Sequence, residues 1–146
     1  MRRLALVLGA VALTGCAKPD TPPAEAPAAP SINLADLAGT WNMTTRAEGT
    51  DSVLVSGSIT ATADAAGWMI NLPGRPSMPM RVTVDGDSIM TATGPYESVL
   101  RPGVQVTTAG VLRLVDGKLT GVNVAHYVTS GADSVVRLTT EATRAQ

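Results

Sequence analysis

Two side chains in this sequence carry reactive groups that occur nowhere else in it, the thiol of Cys16 and the imidazole of His126. A thiolate acts as a nucleophile or a soft metal ligand, and an imidazole acts as a general base or a zinc ligand. His126 has no second histidine and no cysteine near it, so we predict no zinc site. A serine hydrolase would depend on His126 alone, and no serine stands in a Gly-x-Ser-x-Gly motif.

Methionine is the other residue type that could bind a metal. Met78 and Met80 flank a proline, and Met90 is close to them across a predicted hairpin. Thioethers are ligands for Cu(I), but methionine also fills irregular gaps in cores, and we favour packing. The acidic residues are scattered at turns, where hydrogen bonds to the backbone account for them. The sequence therefore predicts no metal, no catalytic residues and no enzyme; a catalytic alternative would need His126 as its base.

Cys16 ends an apolar segment, which changes its expected chemistry. Two arginines follow Met1, and residues 4–13 are apolar or small. A charged start and a short apolar run are typical of a secretory signal, and ten helical residues span about 15 Å, half of a ~30 Å hydrocarbon core. Leu13-Thr14-Gly15-Cys16 resembles the lipobox of bacterial lipoproteins. That resemblance implies a signal peptide over residues 1–15 that is removed, and a Cys16 whose thiol and amine are acylated and whose reactivity is thereby lost.

Residues 16–31 form the lipidated cysteine and a tether that contains five of the chain's ten prolines. Such a segment is a solvated polyproline-type spacer, and fifteen residues at about 3.1 Å each reach roughly 45 Å. Removal of the two signal arginines lowers the formal net charge from −1 to −3. No basic block remains, which argues against nucleic-acid binding. Ala17 follows the cysteine, and by resemblance to enteric lipoproteins this predicts an outer-membrane anchor with the protein facing the periplasm.

Residues 32–146 predict one all-β domain. A short helical turn over 32–38, with Asn33 as its cap, precedes a series of strands in which apolar and polar residues alternate, most clearly over residues 53–63. We expect eight to ten strands joined by short turns. Closing such a meander removes its edges, so an up-and-down antiparallel barrel of about eight strands is favoured over a two-sheet sandwich, which needs longer connections.

The connections follow from glycine-containing dipeptides. Asp85-Gly86 and Asp116-Gly117 are typical of two-residue hairpin turns. Gly94-Pro95 and Ala109-Gly110 are expected to interrupt the strands in which they occur, because proline cannot donate to a ladder and glycine weakens a strand.

The start of the first strand carries a family resemblance. Gly39-Thr40-Trp41 after a short turn is similar to the Gly-x-Trp opening of lipocalins and related calycins. That resemblance implies that Trp41 closes one end of the barrel beneath an arginine from the end of the last strand, which here is Arg144. Trp41 and Arg144 are therefore the predicted barrel-closing pair.

The remaining candidate residues are the larger aromatic and polar side chains. For residues 94–106 we favour a bulged strand corner, and the alternative is a rim of the barrel with polar contacts from Tyr96 and Arg101. Trp68 and His126 are further candidates for lining or rim positions. We expect a membrane-anchored envelope protein that binds a small apolar ligand in the barrel mouth and needs no cofactor beyond the lipid on Cys16. The alternative is a barrel filled by its own side chains that binds a partner protein in the periplasm.

Overall fold

A computed structural model describes residues 31–129, 131 and 134–146. The predicted signal peptide, Cys16 and the tether up to residue 30 lie outside the described residues. One short helix is followed by eight strands and a 3-10 turn at Ala65–Gly67. No helix within these ranges is long and apolar enough to cross a bilayer. The elements are α1 (Leu34–Leu37), β1 (Gly39–Ala47), β2 (Val53–Ala61), β3 (Met69–Asn71), β4 (Met78–Asp85), β5 (Ser88–Glu97), β6 (Gln105–Val115), β7 (Lys118–Tyr127) and β8 (Val135–Arg144).

The eight strands form a closed antiparallel barrel in sequence order. β1 closes the sheet by pairing with β8, from Trp41 opposite Arg144 to Ala47 opposite Leu138. The predicted all-β up-and-down barrel is confirmed. The predicted cap is also present, since the Asn33 side chain accepts a hydrogen bond from the Ala35 amide at 3.1 Å.

Two predicted strand breaks are wrong. β5 continues through Gly94 and Pro95, which are joined by a cis peptide bond, and its register with β6 shifts between Thr93 and Tyr96. A bulge of this kind absorbs the irregular residues without ending the strand. β6 likewise continues through Gly110. The Asn123 side chain occupies the space that a side chain at position 110 would need.

Both predicted hairpins are present. Asp116 and Gly117 have positive φ angles of 50° and 77° and form the two-residue turn between β6 and β7. Between β4 and β5 the turn is one residue later than predicted, because Asp85 pairs with Ser88 and leaves Gly86 and Asp87 at the turn.

The barrel has two dissimilar ends. At one end lie α1, the β2–β3, β4–β5 and β6–β7 connections and the end of β8; we call it the closed end. The β1–β2, β3–β4, β5–β6 and β7–β8 connections lie at the other end, which we call the mouth. β3 is the shortest strand and pairs with β4 at only two positions, Met69 with Pro79 and Ile70 with Met78.

The main core fills the closed half of the barrel. Both tryptophans are fully buried there, and each indole N–H is satisfied by a carbonyl: Trp41 donates to Leu37 at 2.8 Å and Trp68 to Thr62 at 3.0 Å. A second, smaller cluster lies nearer the mouth on the β6–β8 wall. Its buried residues are Val106, Ala125, Tyr127 and Leu138.

Candidate functional site

The closed end is sealed by Trp41 and Arg144. The Arg144 guanidinium lies over the Trp41 ring, 4.6 Å from its centroid. Its two terminal nitrogens donate to the carbonyls of Ala38 at 2.7 Å and Asp36 at 2.8 Å, just after and within α1. Arg144 therefore joins the last strand, the first strand and the helix at this end of the barrel.

The mouth half of the barrel encloses a cavity of about 80 Å³. The whole concave space, including the part open to solvent at the mouth, is about 730 Å³. A site of this size holds a small ligand, or one end of a longer ligand that extends through the mouth.

The cavity wall is partly polar, which the sequence pattern did not predict. We call the polar side chains that point into it the polar belt. Asn123 Nδ2 donates to Thr140 Oγ1 at 2.6 Å, and the Thr140 and Thr45 hydroxyls are bonded at 2.9 Å. The belt comprises Thr45, Thr91, Thr93, Thr108, Asn123 and Thr140.

Apolar side chains line the cavity below and opposite the belt. Met43, Ile59 and Leu112 form its floor above the closed-end core, and Leu72 and Met80 line the wall of short strands. A ligand in the cavity would therefore contact hydroxyl or amide groups from β1 and β5–β8, and aliphatic groups below them and on the β2–β4 side.

Gly110 makes room for the belt. A Cβ at this position would overlap the Asn123 side-chain oxygen and come within 2.6 Å of the Val122 carbonyl oxygen. The glycine that looked like a strand break is thus required by packing, because only a residue without a side chain lets the Asn123 amide lie flat against β6.

The segment between β5 and β6 folds over the mouth. The Ser98 hydroxyl is buried and accepts from the amides of Leu100 and Arg101, each at 3.0 Å, while the Ser98 amide donates to Val104 at 2.8 Å. Arg75 of the β3–β4 connection donates to the carbonyls of Glu97 and Ser98. These bonds fix residues 98–104, which we call the mouth loop.

Two tyrosines face the upper cavity. Burial raises the pKa of the Tyr96 hydroxyl, and its hydrogen bond with Thr108 opposes this rise. The Arg101 guanidinium lies 4.2 Å from the centroid of the Tyr127 ring, so the mouth loop is also held by a cation–π contact. Of these two candidate residues, Tyr96 lines the cavity and Arg101 lies beside a second lining residue, Tyr127.

The other two candidates lie elsewhere. Trp68 is part of the closed-end core and does not reach the cavity. His126 is exposed on the outer wall, opposite Thr107, because it alternates along β7 with Ala125 and Tyr127, which face inward. Strand alternation alone places His126 on the face opposite those two residues.

The three methionines considered as Cu(I) ligands do not lie together, because Met78 and Met80 pack with the core and Met90 does not. Met80 lines the cavity, whereas Met90 is exposed on the outside of the neighbouring strand. Among the described residues, no three His, Cys, Asp or Glu side chains are grouped so that they could hold a metal ion. The chain matches no protein-family model, no curated protein and no solved structure.

Proposed function

We propose that this chain is a lipid-anchored envelope protein whose barrel binds a small, mostly apolar ligand through its mouth. One observation carries the binding proposal: the closed half of the barrel is packed solid, while the mouth half encloses a cavity that opens to solvent. The polar belt indicates that the ligand carries at least one hydrogen-bonding atom, since a purely aliphatic molecule would leave the belt without new partners.

The test uses the chain from Cys16 to Gln146 with Cys16→Ser, so that no acyl group interferes. A naphthylamine-type apolar dye is titrated into it, and native mass spectrometry reports any molecule that co-purifies. Ala125 is buried and lines the cavity, so Ala125→Leu extends into it; Ala109→Leu makes the same change on the exposed outer face of β6. We expect Ala125→Leu to reduce dye affinity at least about tenfold and Ala109→Leu to leave it unchanged.

A barrel that functions as a binding surface for a partner protein is the second candidate. The cavity volume of about 80 Å³ favours this candidate, because it is smaller than the roughly 300–1,000 Å³ of most ligand pockets. The outer wall of β5–β7 offers apolar side chains for such a contact, among them Met90, Val111, Val122 and Val124. If the wild-type chain neither binds the dye nor carries a co-purified molecule, this candidate replaces the first.

The anchor is tested separately in cells. Metabolic labelling with a palmitate analogue is expected to mark the wild-type protein, which should sediment with the outer-membrane fraction. Cys16→Ser should abolish the label and release the protein into the soluble fraction. A labelled Cys16→Ser protein, or a wild-type protein without label, would contradict the anchor.

A further inference from the structure

One hydroxyl of the polar belt has no partner in the described part of the chain. Thr93 lines the cavity and is only 4% exposed, yet it makes no hydrogen bond there. Buried hydroxyls are normally hydrogen-bonded, because an unmade bond costs free energy. No fully enclosed side-chain oxygen or nitrogen of the described residues lacks a partner, so the Thr93 oxygen must be open to the cavity. It is therefore able to donate to a ligand and to accept from it.

The other threonines of the belt already have partners. Each is bonded to another threonine, to a backbone carbonyl or to a tyrosine; they are Thr45, Thr91, Thr108 and Thr140. These bonds hold the wall together, and a ligand that replaced one of them would break a contact within the barrel. Thr93 is the belt threonine that a ligand can bond without such a loss.

The side-chain oxygen of Asn123 is the second open group. The Asn123 nitrogen donates to Thr140, but the oxygen Oδ1 accepts no hydrogen bond from a described residue. Oδ1 lies over β6, since a Cβ at Gly110 would be 1.8 Å from it. Gly110 pairs directly with Thr91 on β5, which makes Thr93 its diagonal neighbour on the inward face. Diagonal neighbours are about 7–8 Å apart, so Oδ1 and the Thr93 hydroxyl border the same space.

None of the described residues that line the cavity carries a charge. Its titratable groups are the phenols of Tyr96 and Tyr127, and tyrosine ordinarily ionises only near pH ~10. Two arginines of the mouth are not lining residues: Arg75 donates to two carbonyls, and Arg101 lies over the Tyr127 ring. A carboxylate or an ammonium group that entered the cavity would find no opposite charge, which makes its burial costly.

We propose that the cavity takes the uncharged polar end of a ligand with an apolar chain, such as a primary alcohol or a primary amide. The polar end donates to Asn123 Oδ1 and accepts from the Thr93 hydroxyl. A carboxyl group fits only in its protonated form. This inference rests on the proposed function, because it presupposes that the barrel binds a ligand, and it adds the chemical class of that ligand.

The mouth loop offers apolar contacts to the chain of such a ligand. Val99 and Leu100 line the concave space and are nevertheless 37% and 38% exposed. Because the cavity itself is only about 80 Å³, a chain of several carbons extends past these side chains into the open part of that space. Burial of its apolar surface against them stabilises the complex. The ligand therefore has its polar end inside the barrel and its apolar end at the mouth.

The wild-type test uses the chain from Cys16 to Gln146 with Cys16→Ser and measures displacement of the bound dye at about pH 8. Matched probes of one chain length are compared: 1-octanol with 1-chlorooctane, and octanamide with octanoate and octylammonium. We expect octanol to displace the dye at a concentration at least about tenfold lower than chlorooctane does. Octanamide should likewise be at least about tenfold more effective than octanoate or octylammonium.

A change of pH tests the requirement for an uncharged group. Lowering the pH to about 5 should bring octanoate closer to octanamide, because the probe gains a proton while tyrosine stays neutral. Octanol has no group that titrates in this range, so its displacement of the dye should not change and serves as the control.

Three substitutions test the residue assignment. Thr93→Val keeps the shape of the side chain and removes its hydroxyl, Thr93→Ser keeps the hydroxyl, and Thr107→Val makes the first change on the exposed outer face of β6. Thr93→Val should weaken octanol about tenfold and leave chlorooctane unchanged. The other two variants should keep the preference for octanol. Urea unfolding should show no loss of stability in Thr93→Val, because its hydroxyl has no protein partner.

The failure of this inference differs from the failure of ligand binding. Equal displacement by octanamide and octanoate at about pH 8, or octanol binding that Thr93→Val does not weaken, overturns the uncharged polar end while dye binding persists. Tight octanoate binding that Thr93→Val leaves unchanged would mean that the chain enters first, which contradicts the proposed orientation. A wild-type chain that binds neither the dye nor any probe overturns ligand binding itself.

Discussion

Arg144 lies over the ring of Trp41, although it comes 103 positions later in the chain, and holds the first and last strands together at the closed end. The same guanidinium donates to two carbonyls at α1, so one side chain combines a cation–π contact with two charged hydrogen bonds. Trp41, which Arg144 covers, belongs to the same core cluster as the residues that form the floor of the cavity.

Replacing Arg144 should therefore destabilise the whole barrel. We expect Arg144→Ala to lower the free energy of unfolding by about 1–3 kcal/mol, from the lost ring contact and the lost hydrogen bonds. Urea unfolding followed by tryptophan fluorescence measures it. Arg113→Ala is the control, because Arg113 pairs only with exposed Asp87 at 3.5 Å and its loss should have a much smaller effect. Equal midpoints for wild type and Arg144→Ala would contradict the role assigned to this residue.

Gly39 is required beside Arg144. Its φ is +135°, which disfavours any side chain, and a Cβ there would lie 2.9 Å from an Arg144 nitrogen. Gly39→Ala should cost about 1–3 kcal/mol of stability. A double-mutant cycle combines Gly39→Ala with Arg144→Ala. In the Arg144→Ala background, the loss of stability caused by the contact with Arg144 should disappear, while the loss caused by the backbone conformation of residue 39 should remain. Strict additivity of the two substitutions would show that the glycine is needed for its φ alone.

From the raised pKa of the Tyr96 hydroxyl we predict that the folded protein loses stability at high pH. Burial raises its pKa in the folded chain above the ordinary 10.0. The contribution of Tyr96 to the free energy of unfolding is fully present below pH 10, where its phenol is neutral in both the folded and the unfolded chain. Above that pH the unfolded chain ionises first, so the free energy of unfolding falls until the pH passes the folded pKa.

Tyr96→Phe isolates this effect from other titrating groups. At neutral pH the variant should be slightly less stable, because it lacks the hydrogen bond with Thr108. The stability difference between wild type and variant should shrink as the pH rises above 10. Denaturant unfolding at several pH values, with tyrosinate absorbance on the folded protein, measures both quantities. A difference that is constant with pH would show that this hydroxyl does not titrate differently on folding.

The sequence predicted the fold better than the site, for physical reasons. Period-2 alternation and two hairpin turns determine the strands, and edge removal determines closure, so the eight-stranded barrel follows from local patterns. The polar belt was missed because the strand faces were read as aliphatic. Thr91 and Thr93 share the inward face with Ile89, and that alternation was the available signal. Gly110 looked like a break because its requirement arises from Asn123 on another strand.

The polar belt gives the sharpest test of the cavity wall. The Thr140 hydroxyl accepts a hydrogen bond from Asn123 at 2.6 Å and is hydrogen-bonded to Thr45 at 2.9 Å. Thr140→Val keeps the shape of the side chain but removes both hydrogen bonds. We expect a loss of about 1–3 kcal/mol in unfolding free energy. Thr143→Val, three residues along β8 on the exposed outer face, should change stability little. The dye titration is repeated with two competing ligands, one with a hydroxyl or carboxyl group and one that is its hydrocarbon analogue. Thr140→Val should reduce the affinity of the first ligand more than that of the second. If both ligands are affected equally, the belt supports the wall without contacting the ligand.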